Sequence, residues 1–464
     1  MPASTSSSPP PSSARPVRRD LLEGPLGTTL LRKSLPVVGG MLAMMSFNLV
    51  DTWFVSRLGT APLAGVAFTF PVVFAVISLA IGLGIGTSAV VARRLGQGNL
   101  AAVRHRATDA ALLALVVGLA VSALGLATLE PLFRLLGADA ALLPHIRDYM
   151  GVWYLGAAAV IVPRVLNSVL RAHGNTRVTG LMMGLAALVN GVLDPLLIFG
   201  PGPLPALGVQ GAALATVISW SLMTLALCCH RELRSLVALR DLGPVRLLQS
   251  WRELGHIAAP AALTSVFTPI AMALVTRVVA SHGHTAVAGY GVGSRLEAIS
   301  QIAVLALSMT LSPLVSQNAG AGHYARVRRA VLGCFGFVLV WQLLVWGLLQ
   351  LLAPWLVASY AAGEAVGAVL RRFLWLVPLG LGAQGVVILA VSSLNALHRP
   401  ALAMRLSVVR LFVLTVPLAW LGGALAGPTG IFAGLLAANL LMAGLAWWQL
   451  RLVLDQDSLS QSTG

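Results

Sequence analysis

Pro36, Gly59, Ala64, Gly65, Gly96, Gly98 and Arg104 are matched by Pro260, Gly283, Ala288, Gly289, Gly320, Gly322 and Arg328, each 224 positions further on. Thr52/Thr276, Ser88/Ser312, Ala101/Ala325, Val103/Val327 and Leu170/Leu394 keep the same offset, so the register survives about 130 residues without a net insertion. A chain duplicated in this way builds two equivalent units, and secondary transporters place their sites between such units.

The units belong in a membrane. The chain is 57% hydrophobic and 10% charged, where a soluble domain carries about 25% charged residues. Apolar stretches recur along its length, each near the roughly 20 residues a helix needs to cross a bilayer. A β-barrel would show short alternating segments instead. The breaks between stretches predict an all-α integral membrane protein with twelve spans, at 31–55, 62–92, 107–128, 149–170, 178–199, 210–229, 257–281, 286–316, 331–352, 373–396, 407–424 and 429–450. Six spans per half give both halves the same orientation, so two pseudo-symmetric six-helix lobes related by an axis along the membrane normal are expected. The lobes then run over 23–229 and 257–452. Residues 1–22, rich in Ser, Pro and Arg, read as a disordered tail, and 453–464 as a second tail. Residues 230–256 read as a cytoplasmic linker whose amphipathic part lies on the membrane surface.

A net charge of +16 raises nucleic acid as a partner, but its distribution argues against that. Of the 31 basic residues, 22 fall in alternate loops and tails on the side of the amino terminus, six on the opposite side and three inside spans. The positive-inside rule then puts both termini in the cytoplasm of a multi-pass plasma (inner) membrane protein. Cys228, Cys229 and Cys334 have neither metal-ligand nor redox spacing. Gly96-Gln97-Gly98 and Gly320-Ala321-Gly322 end long helices and lack the lysine and hydroxyl of a phosphate loop, so they read as helix terminators. No catalytic triad, zinc motif or cofactor fingerprint is present, which argues against an enzyme and against ATP-driven transport.

Carboxylates inside spans are costly and usually functional. Asp51 in the first span, Asp194 in the fifth and Glu297 in the eighth qualify, whereas Asp109 sits at a membrane boundary. Asp51 follows Asn48 by three residues and Asp194 follows Asn190 by four, so each shares a helix face with a carboxamide. Asn167 in the fourth span adds a further polar group. Burial disfavours an isolated carboxylate, and a neighbouring acid makes double ionisation harder still. Two such acids can hold a proton and release it when a cation or water enters, and the same oxygens can ligate sodium. The alternative is that the aspartates only cap or bridge helices. Pro36 and Pro195 each free a carbonyl one turn earlier and can kink a helix. Glu297 is either a second protonatable or substrate-contacting group or a buried charge balanced by Arg295, Arg410 or the backbone. Arg164 either balances one of the aspartates or extends toward an interface.

Pro36 followed by Asn48, Asp51 and FVSRLGTAPLAG, the paired ends RRLGQGN and SQNAGAG, RAHGNTR leading to NGVLDPLLIFG, and YGVGSRLEAIS occur here in one order across two six-span halves. In these elements the chain resembles the multidrug and toxic compound extrusion (MATE) transporters over essentially its whole length after the tail. The acids resemble those of the DinF-like branch. That resemblance implies a coupling site at Asp51, Asn190 and Asp194 with Asn167 nearby, and Thr216 stands nearest to a sixth-span threonine linked to cation binding. Spans 257–281 and 373–396 hold no acid, so the carboxy-terminal cation site of the NorM-like branch has no counterpart. The resemblance implies antiport of small amphipathic, often cationic, organic substrates against protons, or sodium, without another cofactor. Internal duplication lets one chain make the whole pathway, so a functional monomer is expected. A flippase for lipid or lipid-linked glycan is the other transport reading, weakened by the presence of only Arg164, Arg295 and Arg410 as basic residues within spans.

Overall fold

A backbone in hydrocarbon has no water to satisfy it, so each apolar stretch folds into a helix that bonds to itself. The computed structural model describes residues 20–201, 205–237, 243–360 and 363–462, and within these the chain is helical with no strand. The first three spans are Leu26–Ser56, Thr60–Gly96 and Leu100–Leu135. The fourth is the pair Leu143–Leu155 and Ala157–Ala172, bent by 47°. The fifth and sixth are Thr176–Phe199 and Val209–Cys229, and the second half begins with Pro244–Ala280. The eighth to tenth are His284–Gly320, Tyr324–Tyr360 and Glu364–Ala396. A last helical stretch, Pro400–Asp457, is long enough for two crossings and is divided by non-helical backbone at Ala426 and Gly427. The twelve expected spans are thus present among the described residues.

The helices overrun the expected bounds because hydropathy registers only the hydrocarbon core, while helices continue through the headgroup layers, which add about 10–15 Å. Two segments read as a linker and a tail are also helical. Residues 244–256, assigned to the linker, are the first turns of the seventh helix. Residues 453–462, assigned to a tail, continue the twelfth helix, with Val453 and Leu454 buried. The acids at this end are paired, Asp455 with Arg328 and Arg451, and Asp457 with Arg399. Residues 1–19 of the amino-terminal tail lie outside the described residues, but Asp20–Glu23 is helical and Leu21 is buried, so the last part of that segment belongs to the folded body.

The duplication is visible in the turns. Asn99 N–H bonds to the Arg94 carbonyl at 3.1 Å, and 224 residues on His323 N–H bonds to the Asn318 carbonyl at 2.8 Å, with Gly98 and Gly322 both at positive φ. The Gly-x-Gly sequences are therefore helix terminators, as expected. Likewise Asn175 N–H bonds to Leu170 O and Arg399 N–H to Leu394 O. In that turn Gly174 (φ 87°) is replaced by His398 (φ 60°), the one described non-glycine residue at positive φ.

Within the first half, the first helix packs on the fifth, the second and third on the fourth, and the fourth and fifth on the sixth; within the second, the tenth packs on the eighth, ninth and twelfth. The halves meet where the second helix packs on the seventh and where the eighth packs on the first and second. This seam is closed at the end of the molecule that carries the basic loops, called here the basic end. A Cβ on Gly86 would stand 2.9 Å from the Leu254 carbonyl, and one on Gly82 2.5 Å from the Ala258 carbonyl, so small residues let the second and seventh helices touch backbone to backbone. Ser316 Oγ donates to Ala89 O at 2.7 Å, Gln317 Nε2 to Ala172 O at 2.6 Å and Asn318 Nδ2 to Leu21 O at 2.9 Å. Among the described residues no side-chain hydrogen bond or ion pair joins the halves near the opposite end.

Asp109 belongs to this closure. It is fully buried on the third helix, accepts from Ser250 Oγ, and lies 3.5 Å from Arg246. Its carbonyl accepts from Trp251 Nε1 at 3.0 Å. Arg106 donates to Ser250 and pairs with Glu253 at 2.8 Å, which Arg94 approaches at 3.3 Å. The expected linker is therefore a charged clasp folded onto the first half.

Candidate functional site

The first and fifth helices run side by side in the same direction, starting at the basic end. Their contact is set by Pro36, Gly40 and Gly180. A Cβ on Gly180 would run into the Pro36 carbonyl, and one on Gly40 would stand 2.9 Å from the Gly180 carbonyl. From that contact Asp51 is 15 residues along the first helix and Asp194 is 14 along the fifth. At 1.5 Å per residue, both acids rise about 21–23 Å to nearly the same level. Each is five residues short of its helix end, at Ser56 and Phe199, so the pair sits closer to the far end than to the basic end.

There the two carboxyl groups lie within hydrogen-bonding reach of one another. Asn190 Nδ2 donates to Asp194 Oδ1 at 3.3 Å. Asp194 is fully buried and Asn190 nearly so. Asp51 Oδ1 and Asp194 Oδ2 are buried without a hydrogen-bond partner. A carboxylate accepts and cannot donate, so two facing carboxyls form a hydrogen bond only when a proton lies between them. The remaining oxygens are the acceptors that an incoming cation or water would find. The site is thus suited to binding and releasing one small cation.

Of the other residues singled out in the sequence, Asn48 is exposed and Thr216 half-buried on the sixth helix, and neither side chain is hydrogen-bonded to the pair. Asn167 is buried on the fourth helix with its side-chain oxygen unpartnered, but no hydrogen bond joins it to either aspartate. Pro36 and Pro195 both lie inside unbroken helices. Pro195 denies a donor to the Gly191 carbonyl beside the acid pair, and Pro36 does the same to Arg32. Glu297 stands apart in the second half. It bonds to Gln384 of the tenth helix and faces Arg410, which lies on a π-helical segment, Val409–Thr415, of the eleventh. Arg295 is exposed, and the charge facing Glu297 is that of Arg410. Arg164 pairs with neither aspartate: its guanidinium lies 4.3 Å from the Trp220 ring centroid and donates to Val160 O at 2.9 Å.

Tyr149, which the sequence reading did not single out, stands close enough to Asp51 and Asp194 to feel both charges. It comes from the first segment of the bent fourth span. The bend falls at Gly156, where a side chain would strike Val217, and this close approach aims the segment at the sixth helix. A lone tyrosine among apolar residues carries no sequence signal of such a role.

Two equivalent helical lobes, joined at one end and holding a buried acid pair toward the other, define a membrane transporter rather than an enzyme. The MatE family model matches residues 36–196 and 260–421, two segments whose starts are again 224 residues apart, and the chain belongs to this family of MATE transporters. It is 41% identical to a protein of Shewanella oneidensis described as an FAD transporter, over 93% of this chain and 96% of that one. It is 25% identical to the multidrug export protein MepA of Staphylococcus aureus, over 95% and 97% of the two chains. Among solved structures, the Vibrio cholerae MATE transporter VcmN in its bent form superposes with a TM-score of 0.88 at 32% identity, covering 94% of this chain and 98% of the other.

Proposed function

We propose that this chain is a proton-coupled antiporter that exports amphipathic organic compounds, with Asp51, Asn190 and Asp194 as its coupling site in the manner of the DinF-like branch. The observation that carries the reading is the facing carboxyl pair, with one unpartnered oxygen on each acid. The excess of basic residues on one side favours both termini in the cytoplasm, and on that orientation the closed basic end corresponds to the state open to the outside. A proton entering from outside neutralises the pair, changes the packing of the first and fifth helices about Pro36 and Gly180, and weakens substrate binding. After release, the protonated carrier rocks to face the cytoplasm and discharges. Coupling requires that proton and substrate differ in affinity for the two states.

The 41% identity to a protein described as an FAD transporter favours a second reading of the substrate, as a flavin dinucleotide. Its phosphates need positive partners, and Arg164 and Arg410 are the half-buried arginines within spans.

The test uses inside-out vesicles with an acidic lumen, supplied in turn with FAD and with a panel of amphipathic cations. The expected result is that a transported compound discharges the pH gradient in the wild type and not in Asp51→Asn or Asp194→Asn. Discharge by FAD alone selects the second substrate reading. Transport that needs sodium and leaves the pH gradient untouched replaces the proton by sodium. Movement of neither substrate class, with either ion, overturns export and favours a lipid flippase.

A further inference from the structure

Away from the acid pair, a groove of about 310 Å³ opens between the first, eighth and ninth helices. Its position is unusual in two respects. One wall belongs to the first half and the other two to the second, and where they meet Ser34 Oγ bonds to Thr310 Oγ1 at 2.7 Å. It also runs from the basic end, at Leu26 and Arg329, into the apolar body of the helices. Leu31 and Leu35 on one side, 61% and 67% exposed, and Phe337 and Trp341 on the other, 46% and 39% exposed, form its lips. At these heights a helical membrane body faces acyl chains rather than water.

The lining is apolar apart from Cys334, Ser34, whose hydroxyl is taken up by Thr310, and Arg329, and the mouth at the basic end is positive. Arg329 lines it and is exposed. No acidic side chain pairs with Arg329 among the described residues. Arg326 stands close enough for the two charges to repel and is already committed to the Gly24 carbonyl. An apolar slot that opens to lipid and ends in an unpaired guanidinium at the headgroup level matches one kind of molecule. We propose that the groove binds one acyl chain of a membrane phospholipid whose anionic headgroup sits on Arg329. The guanidinium supplies the donors that a headgroup phosphate requires. Because both halves line the groove, the bound lipid spans the seam that closes the basic end.

Two glycines make the proposal testable without disturbing the fold. Gly27 and Gly333 both line the groove, and nothing lies within 4 Å of where a Cβ would stand on either. A Cβ at position 333 therefore meets nothing, and Gly333→Leu carries apolar atoms from there into the slot. Gly336, one turn further on, is equally open and is not part of the lining, so it provides the control. Purified full-length protein is equilibrated with an equimolar mixture of phosphatidylglycerol and phosphatidylcholine of matched chains, and retained lipid is counted by native mass spectrometry. The wild type is expected to keep phosphatidylglycerol over phosphatidylcholine by about fivefold, the preference expected from a single arginine at an anionic surface. Arg329→Gln should erase the preference, Gly333→Leu should lower the count by one lipid per chain, and Gly336→Leu should match the wild type. Equal retention of the two lipids by the wild type overturns the proposal. So does an unchanged lipid count in Gly333→Leu, or a mass showing that a second copy of the chain covers the groove.

Discussion

The chemistry available to single residues here follows from where each side chain is held. Asp51 and Asp194 stand at nearly the same level because two parallel helices carry them nearly equal distances from one contact, and Asn190 lies one turn before Asp194 on the same face. His398 shows a different use of position. Its Nε2 lies 3.4 Å from the Ala89 carbonyl across the seam. Burial, reinforced by Arg93 and Arg94 and opposed by the Ala89 bond and Glu253, pushes its imidazole down from 6.5 to about 4. A group depressed in this way binds its proton more readily once the seam opens or the chain unfolds. Its contribution to the closed end is therefore complete above about pH 6.5 and is lost as the pH falls toward 4. The melting temperature of the purified protein should accordingly drop between pH 7 and pH 5, and His398→Asn, which suits the left-handed turn, should reduce that drop by on the order of 1–2 °C. Identical slopes for the two proteins would remove His398 from the account. The two aspartates were legible in the sequence because a carboxylate has no cheap place in hydrocarbon. Tyr149 was not, because an aromatic residue in a membrane helix is unremarkable until its neighbours are known.

Among elements, the contact between the first and fifth helices governs the site. Gly180→Ala would drive a methyl group into the Pro36 carbonyl, whereas Gly184→Ala, on the same helix, meets nothing within 4 Å. The first substitution is expected to lower stability by about 1–3 kcal/mol and to weaken coupling by moving Asp51 away from Asp194. The second should leave both unchanged, and thermal unfolding with the vesicle assay on the same preparations checks the pair. The number and order of helices could be read from apolar runs and the 224-residue register. The start of the seventh helix could not, because hydropathy treats Arg246 and Glu253 as solvated. Their partners Asp109, Arg94 and Arg106 lie on helices well over a hundred residues earlier. The bend at Gly156 was equally hidden, since it answers to packing against Val217 of the sixth helix rather than to its own residues.

At the scale of the molecule, closure of the basic end is one of the two shapes that alternating access requires. A disulfide across the seam should hold it there. With Cys228, Cys229 and Cys334 replaced by serine, cysteines at Ala89 and Ser316, residues in contact across the seam through the Ser316 hydroxyl and the Ala89 backbone carbonyl, are expected to cross-link under oxidation and stop transport. Reductant should restore it. Transport that persists with the cross-link formed would show that the halves need not part at this end. The same seam bears on how the protein is made. A Cβ on Gly96 would run into the Gln317 backbone, so this stretch of the second helix is shaped for a surface synthesised about 220 residues later. At about 5–20 residues per second, the wait is roughly 11–44 s. For the first part of that interval, until residues 246–262 are made, the first half stands in the bilayer with its glycine-lined face and the buried Asp109 uncovered. Anything that shields or cleaves nascent membrane segments has its longest opportunity there, before the second half arrives to cover them.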